Sequence, residues 1–314
     1  MDRVYMTFDP PGPAADLLRE HVEVEMWERD GFASAEALAE HLPRADGLYC
    51  TLTTRVDDAL LALAPRLRVV SQFAVGVDNI DLDACRRRGI AVGHTPDVLT
   101  ETTADTAWGL LLAGSRRFEE GIDHVRNGEW GDFAMDLFLG GDLHHTTLGI
   151  IGMGRIGEAI ARRATGFDME VLFTRRRPDP SPLGTRVGLE ELLDRSDHVV
   201  VAAPLTAETR GLIDEDALRR MRPTAGLVNI ARGPIVGTDA LVRALREGWI
   251  RYAALDVTDP EPLHPTHPLV QLPNCLVIPP LGSSSTRTRE RMGTLAAENL
   301  LAGLVGEEMP ARIA

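Results

Sequence analysis

The chain has 314 residues, enough for one large domain or two ordinary ones with a sizeable core. Hydrophobic residues make up 44% and charged residues 25% of it, a mixture typical of a globular protein, and the formal charge of -14 disfavours nucleic acids and anionic membranes as partners. All 33 basic residues are arginines, and the lack of lysine excludes an internal Schiff base and a lysine-bearing phosphate loop.

The cysteines and the N-terminus bear on the compartment. Cys50, Cys85 and Cys275 are far apart and form no C-x-x-C pair, which predicts a reduced compartment and no zinc ribbon. The first residues lack a charged start followed by an apolar run, and no uninterrupted apolar stretch of about 18 residues occurs later. We therefore expect a cytoplasmic protein.

Short strand-like runs alternate with helical patterns over the first third of the chain. The runs are rich in β-branched and aromatic residues, and turn signals separate them from the helices. This alternation predicts a parallel sheet covered by helices. The predicted strands are 4–8, 22–27, 47–52, 68–76 and 89–95, and the predicted helices between them include 14–22, 33–42 and 81–89.

A long helical pattern that begins near Glu101 predicts a connector between two domains. Apolar residues at helical spacing share one face of it, namely Ala104, Ala107, Trp108, Leu111 and Leu112. A less regular Gly-rich stretch follows over 127–142, and the alternation of strands and helices then restarts. The second set of predicted strands is 147–154, 169–174, 198–204, 225–230, 252–257 and 275–280, with helices at 189–196, 239–247 and 286–304.

The most informative local motif is a G-x-G-x-x-G sequence at Gly152, Gly154 and Gly157, which follows an apolar strand and opens a helix. Gly152 permits a tight turn, Gly154 lets the backbone approach a pyrophosphate, and Gly157 lets helix and strand pack closely. The helix N-terminus presents free N–H groups to the phosphates. The motif predicts a Rossmann domain that binds a dinucleotide.

The end of the next strand indicates which dinucleotide binds. An NAD site usually has Asp or Glu about 20 residues after the motif, whereas an NADP site has Arg there. Here the strand ends in Thr174, Arg175 and Arg176, with no carboxylate. The sequence favours NADP(H) and leaves NAD(H) possible; the alternative is that these arginines only form a solvated turn.

Ordered motifs in the last third of the chain point to a family. They are NIARGPIVGTDAL at 229–241, ALDVTDPEPL at 254–263 and HPLVQLPNCLVIPPLGSSSTRTR at 267–289. This set resembles the D-isomer-specific 2-hydroxyacid dehydrogenase family, and most of all its glyoxylate reductase/hydroxypyruvate reductase branch. The resemblance extends from about Ser71 to Pro310, and it is far more specific than a single glycine motif.

The resemblance implies roles for particular residues. Arg232 would clamp the carboxylate of a 2-oxo acid and polarise its carbonyl, a task that suits a planar guanidinium. The backbone N–H groups of Val75 and Gly76 would bind the same carboxylate. Besides the glycines and the strand end, the residues that it implies for the cofactor are Thr103, Arg155, Ile156, Pro204, Thr209, Ile230, Asp256 and Gly282.

One position departs from the family's pattern. The family pairs a glutamate, here Glu261, with a histidine in a P-H-x-G-S segment, and that histidine donates the proton. In this chain Pro280 stands at the histidine position. Proline has neither a titratable group nor a backbone N–H, so it cannot take over this role.

Three explanations for Pro280 are open. The first is a working reductase that takes its proton from Glu261 itself or from water. The second is an oxidoreductase for formate, phosphite or a phosphonate-type anion, and the third is a catalytically impaired protein that still binds NADP(H). His264 is a further candidate acid, whereas a metal site at His264 and His267 is disfavoured because prolines interrupt the spacing.

The sequence therefore predicts an α/β protein of two doubly wound parallel-sheet domains. A flavodoxin-like substrate domain would comprise 1–97 plus 287–314, and a Rossmann NADP-binding domain 98–286, with the substrate between them. We expect NADPH-dependent reduction of a small anionic 2-oxo acid, such as glyoxylate or hydroxypyruvate, to the D-2-hydroxy acid. The resemblance adds a homodimer whose interface consists of the first part of the connector helix and the loop after it, with Trp130 in that loop. No metal is expected.

Overall fold

A computed structural model describes residues 1–132, 134–177 and 179–314, which form two compact units. The N-terminal unit consists of Met1–Leu99 and Ser283–Ala314, and the central unit is Thr100–Gly282. The sequence placed the divisions after residues 97 and 286. Each unit contains a parallel sheet with helices on it, which confirms the α/β prediction.

The N-terminal unit has a five-stranded sheet in the order β2-β1-β3-β4-β5, with every pair parallel. This is the flavodoxin-like order expected from the sequence. Side chains of Ser34, Asp57 and Asp81 accept hydrogen bonds from the first turns of α2, α3 and α4, so each helix begins at a capping residue. The elements are β1 (Arg3–Met6), α1 (Ala14–Arg19), β2 (Glu23–Met26), α2 (Ala35–His41), β3 (Gly47–Cys50), α3 (Asp58–Ala62), β4 (Val69–Gln72), α4 (Leu82–Arg87) and β5 (Ala91–Gly93).

The central unit has a seven-stranded parallel sheet in the order β12-β11-β10-β9-β6-β7-β8. The strands β9, β10 and β11 are buried along their whole length, which is typical of a sheet covered on both faces. The helices are α5 (Thr100–Ser115), α6 (Phe118–Arg126), α7 (Arg155–Ala164), α8 (Leu189–Arg195), α9 (Glu215–Arg220), α10 (Thr238–Arg246) and α11 (Pro268–Gln271). The strands are β6 (Thr147–Ile151), β7 (Glu170–Thr174), β8 (Thr185–Arg186), β9 (His198–Val201), β10 (Gly226–Asn229), β11 (Tyr252–Leu255) and β12 (Cys275–Val277).

The last helix, α12 (Thr286–Val305), returns the chain to the N-terminal unit and packs on β3, β4 and α1. Beyond it the chain end runs antiparallel to β5, where Val92 N donates to Ala314 O at 2.9 Å and Ile313 N to Val92 O at 2.8 Å. These bonds cover an edge strand that would otherwise offer unpaired backbone groups.

The register of the central sheet aligns the ends of its strands. Ile151 pairs with both Thr174 and Val201, and Asn229 pairs with both Val201 and Leu255. The segments that follow these strands therefore emerge along one edge of the sheet. The strand order reverses between β6 and β9, the place where an open α/β sheet binds its ligand.

The connector is interrupted where the sequence suggested continuous helix. Arg117 adopts a left-handed conformation with φ of 54°, so α5 ends at Ser115 and α6 begins at Phe118. The predicted apolar face of α5 is buried except at Leu112, which is half-buried, and the indole of Trp108 donates to Ile160 O at 3.1 Å. Trp130, which the family resemblance assigns to a dimer interface, is 69% exposed. No helix in the described ranges is both long and apolar enough to cross a membrane.

Candidate active site

The glycine motif forms the tight junction between β6 and α7. Gly152 has a φ of +103°, and a Cβ atom on it would lie 2.5 Å from Ala203 N. A Cβ atom on Gly157 would lie 2.3 Å from Gly152 O. Only glycine fits at these two positions, because the backbone after β6 is in direct contact with the start of α7 and with the segment after β9.

The N-terminus of α7 has the properties of an anion site. Gly154 is its N-cap and provides no side-chain cap, and Arg155 and Ile156 are its first helical residues. Nothing lies within 4 Å of the place where a Cβ atom of Gly154 would be. Anions bind at such helix N-termini through the first-turn N–H groups and the helix dipole.

The end of β7 contacts the glycine motif directly. The N–H groups of Gly152 and Met153 both donate to Thr174 O, at 3.0 and 3.2 Å. The Arg175 guanidinium, next along the chain, donates to Met153 O at 3.4 Å. Thr174 and Arg175 therefore lie beside the start of α7, as the dinucleotide assignment requires.

Arg175 and Arg176 differ in their surroundings. Arg175 also donates to Asp179 O and Pro180 O, and its Nη1 lies 3.6 Å from Glu158 Oε1. Its side chain is only 16% exposed. Arg176 is exposed. Arg175 is thus anchored within the loop, whereas Arg176 extends to the surface.

The segment after β9 forms a closed turn. Thr209 Oγ1 donates to Pro204 O at 2.7 Å and accepts from Thr206 N at 2.8 Å. This arrangement fixes Pro204 just beyond Ala202 and Ala203, which pack against the glycine motif. Pro204 and Thr209 thus belong to the same edge of the central sheet.

The loop after β10 is organised by Asn229. This buried amide donates to Arg232 O at 2.9 Å and accepts from Ala231 N at 3.1 Å. Ile230, which lies between Asn229 and Ala231 in the sequence, is buried. Arg232 is half-buried, and its Nη1 donates to Ala231 O at 2.8 Å. A guanidinium is therefore held by a short, internally bonded loop two strands away from the glycine motif.

The segment that carries Pro280 is fixed by Asp256. The Asp256 carboxylate accepts from Leu281 N at 2.6 Å and from Gly282 N at 3.2 Å. A Cβ atom on Gly282 would lie 3.0 Å from Asp256 Oδ2 and 3.4 Å from the Thr103 methyl carbon. Thr103, Asp256 and Gly282 thus come together, and the exposed Pro280 stands beside them.

Glu261 and the nearby histidines lie on an exposed loop. Glu261 Oε2 accepts from Thr258 N at 3.2 Å. His264 Nδ1 accepts from Thr266 N at 3.3 Å, and His267 Nδ1 accepts from Leu269 N at 3.2 Å and caps α11. Each of these side chains makes a local contact with the backbone of its own loop.

Val75 and Gly76 belong to the N-terminal unit, in a turn that follows β4. We call residues 74–77 the carboxylate turn, after the role that the family resemblance implies for Val75 and Gly76. Two side chains that the sequence analysis did not single out, Gln72 and His94, contact its backbone. The sequence could have indicated both residues, because they lie at the carboxyl ends of neighbouring parallel strands, and such ends meet at one edge of a sheet.

The described residues form no site for metal binding or for thiol chemistry. Among those residues, no group of three or more His, Cys, Asp or Glu side chains is placed to hold a metal ion. The three cysteines are buried and unpaired. Burial raises the pKa of the Cys85 thiol to about 11 and that of Cys275 to about 12, so these groups stay protonated and unreactive near neutral pH.

Comparison with known proteins gives a consistent result. Residues 108–282 match the family described as D-isomer specific 2-hydroxyacid dehydrogenase, NAD binding domain. A glyoxylate reductase of Thermococcus onnurineus is 46% identical over 316 residues, covering 98% of this chain and 94% of that protein. A solved structure from Thermus thermophilus is 47% identical, with a TM-score of 0.95, 99% of this chain covered and 100% of the other. An NADPH-dependent glyoxylate/hydroxypyruvate reductase of Sinorhizobium meliloti, solved with NADP and malonate, is 32% identical with a TM-score of 0.88, over 100% and 97% of the two chains.

Proposed function

This chain belongs to the D-isomer specific 2-hydroxyacid dehydrogenase family, and from that membership we propose that it reduces glyoxylate or hydroxypyruvate to the D-2-hydroxy acid. The observation that carries the proposal is the register of the central sheet. It puts the Arg232 loop on the same edge as the glycine motif, with β9 between them. A carboxylate clamp and a dinucleotide site on one edge suit hydride transfer to a 2-oxo acid.

We propose that NADPH is the preferred cofactor and that NADH is also accepted. When bound, the cofactor supplies a hydride. Gly152, Gly154 and the N-terminus of α7 hold its pyrophosphate, and Thr174, Arg175 and Arg176 hold the 2′-phosphate. The NADP bound to the reductase of Sinorhizobium meliloti supports this choice. The nicotinamide half is held by Thr103, Pro204, Thr209, Ile230, Asp256 and Gly282.

We propose that Arg232 binds the substrate carboxylate; the family resemblance implies the same role for the backbone N–H groups of Val75 and Gly76. A guanidinium offers two parallel N–H donors that match the two oxygens of a carboxylate. It also remains charged at any physiological pH and polarises the adjacent carbonyl group as negative charge develops on its oxygen. Asn229 fixes the loop on which this group depends.

We propose that Glu261 delivers the proton to the carbonyl oxygen. Pro280, at the position of the family's histidine, has no proton to give. Glu261 is an exposed carboxyl side chain, and the family resemblance makes it the partner of the missing histidine. Without an imidazole the proton transfer is slower, because a general acid with a pKa near the working pH typically contributes about 10²- to 10⁴-fold.

The test is NADPH oxidation with glyoxylate and with hydroxypyruvate. We expect turnover by the natural chain, a loss in Glu261→Gln, and a gain of about 10²-fold in kcat for Pro280→His. Leu281→His is the matched control, since it adds the same imidazole one residue away, and it should show no gain. If neither the natural chain nor Pro280→His reduces either 2-oxo acid while both still bind NADP(H), the proposal is wrong. The protein would then oxidise formate or phosphite, or only bind the cofactor.

We propose that the protein is a homodimer formed through α6 and the segment that follows it. Half of the large exposed hydrophobic side chains of the described residues lie in this region, namely Phe118, Ile122, Val125, Trp130, Met135, Leu137 and Leu139. Such a concentration is unusual on a monomer and is typical of a protein interface. The partner is a second copy of this chain, as the family resemblance implies.

A further inference from the structure

The carbonyl groups of the carboxylate turn are held by residues at the end of β5. Thr95 N donates to Ala74 O at 2.9 Å. His94 Nδ1 lies 2.9 Å from Val75 O. Because a carbonyl oxygen can only accept, Nδ1 of His94 carries the hydrogen in this contact. Two successive peptide groups of the turn are therefore fixed from the neighbouring strand.

The next carbonyl of the turn is held by a buried amide network. Gln72 Nε2 donates to Gly76 O at 3.3 Å and to Asn79 Oδ1 at 2.7 Å. Gln72 Oε1 accepts from Cys50 Sγ at 3.3 Å, and Asn79 Nδ2 donates to Thr54 O at 2.7 Å. Gln72 and Cys50 are fully buried. The amide of Gln72 thus has one available orientation.

His94 is itself fixed at its backbone. His94 N donates to Ala311 O at 3.0 Å, and Asn299 Nδ2 on α12 donates to His94 O at 2.9 Å. The half-buried imidazole therefore extends from a backbone that the C-terminal segment holds in place. A donor anchored in this way can fix the orientation of the peptide group it contacts.

The direction of the carbonyl groups determines that of the amide groups. In a trans peptide the C=O and the following N–H point in opposite directions. The N–H groups of Val75, Gly76 and Val77 consequently face away from the groups that hold the carbonyls. Within the described residues, none of these three N–H groups donates a hydrogen bond. Successive N–H groups on one side of a turn form a concave anion site.

We propose that His94 is a positioning residue for substrate binding: by holding the Val75 carbonyl, it keeps the amide groups of the carboxylate turn directed at the substrate carboxylate. This inference rests on the proposed function, which places that carboxylate at Val75 and Gly76. Gln72 acts in the same way on the Gly76 carbonyl. Loss of the His94 donor frees the peptide group between Val75 and Gly76 to rotate, which weakens carboxylate binding.

The test measures binding of oxamate, an unreactive analogue of a 2-oxo acid, to the complex with NADPH, together with glyoxylate kinetics. His94→Leu has no donor, whereas His94→Asn keeps an amide N–H near the position of Nδ1. In His94→Leu we expect the Kd of oxamate and the KM of glyoxylate to rise about tenfold, with kcat changed by less than about twofold. In His94→Asn most of the affinity should return.

Controls separate positioning from general damage. His21→Leu makes the same change at an exposed position of the N-terminal unit and should leave both values unchanged. The Kd of NADPH should be equal in all variants. Should His94→Leu not fold, His94→Phe keeps an aromatic ring and lacks the donor. The inference would be wrong if a folded variant without the donor bound oxamate as tightly as the natural chain. It would also be wrong if the affinity for NADPH fell as much as the affinity for oxamate. A natural chain that neither binds oxamate nor reduces glyoxylate would overturn the proposed function first, and this inference with it.

Discussion

Among single residues, Arg232 is set apart from the surface arginines by the loop that holds it. Arg126, for example, is 75% exposed and lies 3.9 Å from Asp123. Arg232 instead follows a buried asparagine that binds both its carbonyl and the preceding N–H. A fixed, planar guanidinium at this place suits recognition of a planar anion.

Arg232→Lys should lower kcat/KM for glyoxylate about 10²-fold or more, although the charge is retained. An ammonium group is a point charge, and it cannot form two parallel hydrogen bonds to one carboxylate. Steady-state kinetics at saturating NADPH measure the effect, and Arg126→Lys is the control on an exposed helix face. Near-normal kinetics in Arg232→Lys would show that this side chain does not clamp the substrate.

Arg176 and Arg175 should contribute unequally to the choice of cofactor. Arg175 already donates to backbone carbonyls of its own loop and of Met153, whereas Arg176 is exposed at the end of β7. We expect Arg176→Ala to raise the Kd of NADPH about tenfold or more and to leave the Kd of NADH within about twofold, because only NADPH carries the 2′-phosphate. Arg175→Ala should weaken both cofactors, because it loosens the loop, and should weaken NADPH more than NADH, because it also removes a contact to the 2′-phosphate. Equal losses for both cofactors in Arg176→Ala would disprove the 2′-phosphate assignment.

At the scale of elements, the junction of β6 and α7 shows that glycines of one motif serve different purposes. Gly157 faces Gly152 O so closely that a methyl group has no room, whereas the corresponding place at Gly154 is open. Sequence alone presents the two residues as equal members of one pattern. Packing within the fold therefore requires glycine at position 157. At position 154 the fold has room for a side chain, and glycine is needed there only to let a ligand approach.

Two alanine variants separate these purposes. Gly157→Ala should destabilise the protein by about 1–3 kcal/mol, because the strand end and the helix must move apart. Gly154→Ala should fold with nearly natural stability, yet bind NADPH about tenfold or more weakly, since its methyl group occupies the approach to the pyrophosphate. Urea unfolding and fluorescence titration measure the two effects. Equal behaviour of the two variants would contradict this division of roles.

At the scale of the whole molecule, the buried His198 links stability to pH. Its Nε2 donates to Asp142 O at 3.2 Å, and its Nδ1 lies 3.1 Å from Tyr252 Oη. Burial lowers the pKa of His198 below its usual value of 6.5. Below about pH 6.5 the unfolded chain therefore binds a proton that the folded chain does not, and stability falls as the pH falls.

His198→Gln should reduce this dependence, because glutamine does not titrate and can donate to Asp142 O. We expect the urea midpoint to fall between about pH 7.5 and pH 5.5 in the natural chain and to fall less in the variant. His144→Gln, at an exposed position, should retain the natural slope. Identical slopes in His198→Gln and the natural chain would show that His198 contributes nothing to the pH dependence.

The proposed homodimer is also a property of the whole molecule. Ile122 is 48% exposed on α6 and Val305 is 69% exposed at the end of α12. We expect sedimentation to give twice the 34.2 kDa chain mass, Ile122→Glu to shift the protein toward the monomer, and Val305→Glu to have no effect. A monomeric natural chain would refute the proposal.

The sequence by itself determined the kinds of elements, the glycine motif, the arginines after β7 and the family motifs. These features follow from local chemistry: periodicity of apolar residues, the lack of a side chain at glycine, and the lack of a titratable group at Pro280. The exact end of α5 was not predictable, because it depends on the conformation of Arg117.

Only the tertiary structure decided which of these residues come together. The register of the central sheet brings the ends of β6 and β12 to one edge, although Gly152 and Gly282, which follow these strands, are 130 residues apart in sequence. Asp256 fixes the segment of Pro280 through two backbone N–H groups, and His94 contacts Val75 from the next strand. Such contacts join residues distant in sequence, and their geometry depends on strand register and on buried hydrogen bonds, which the order of residue types does not specify.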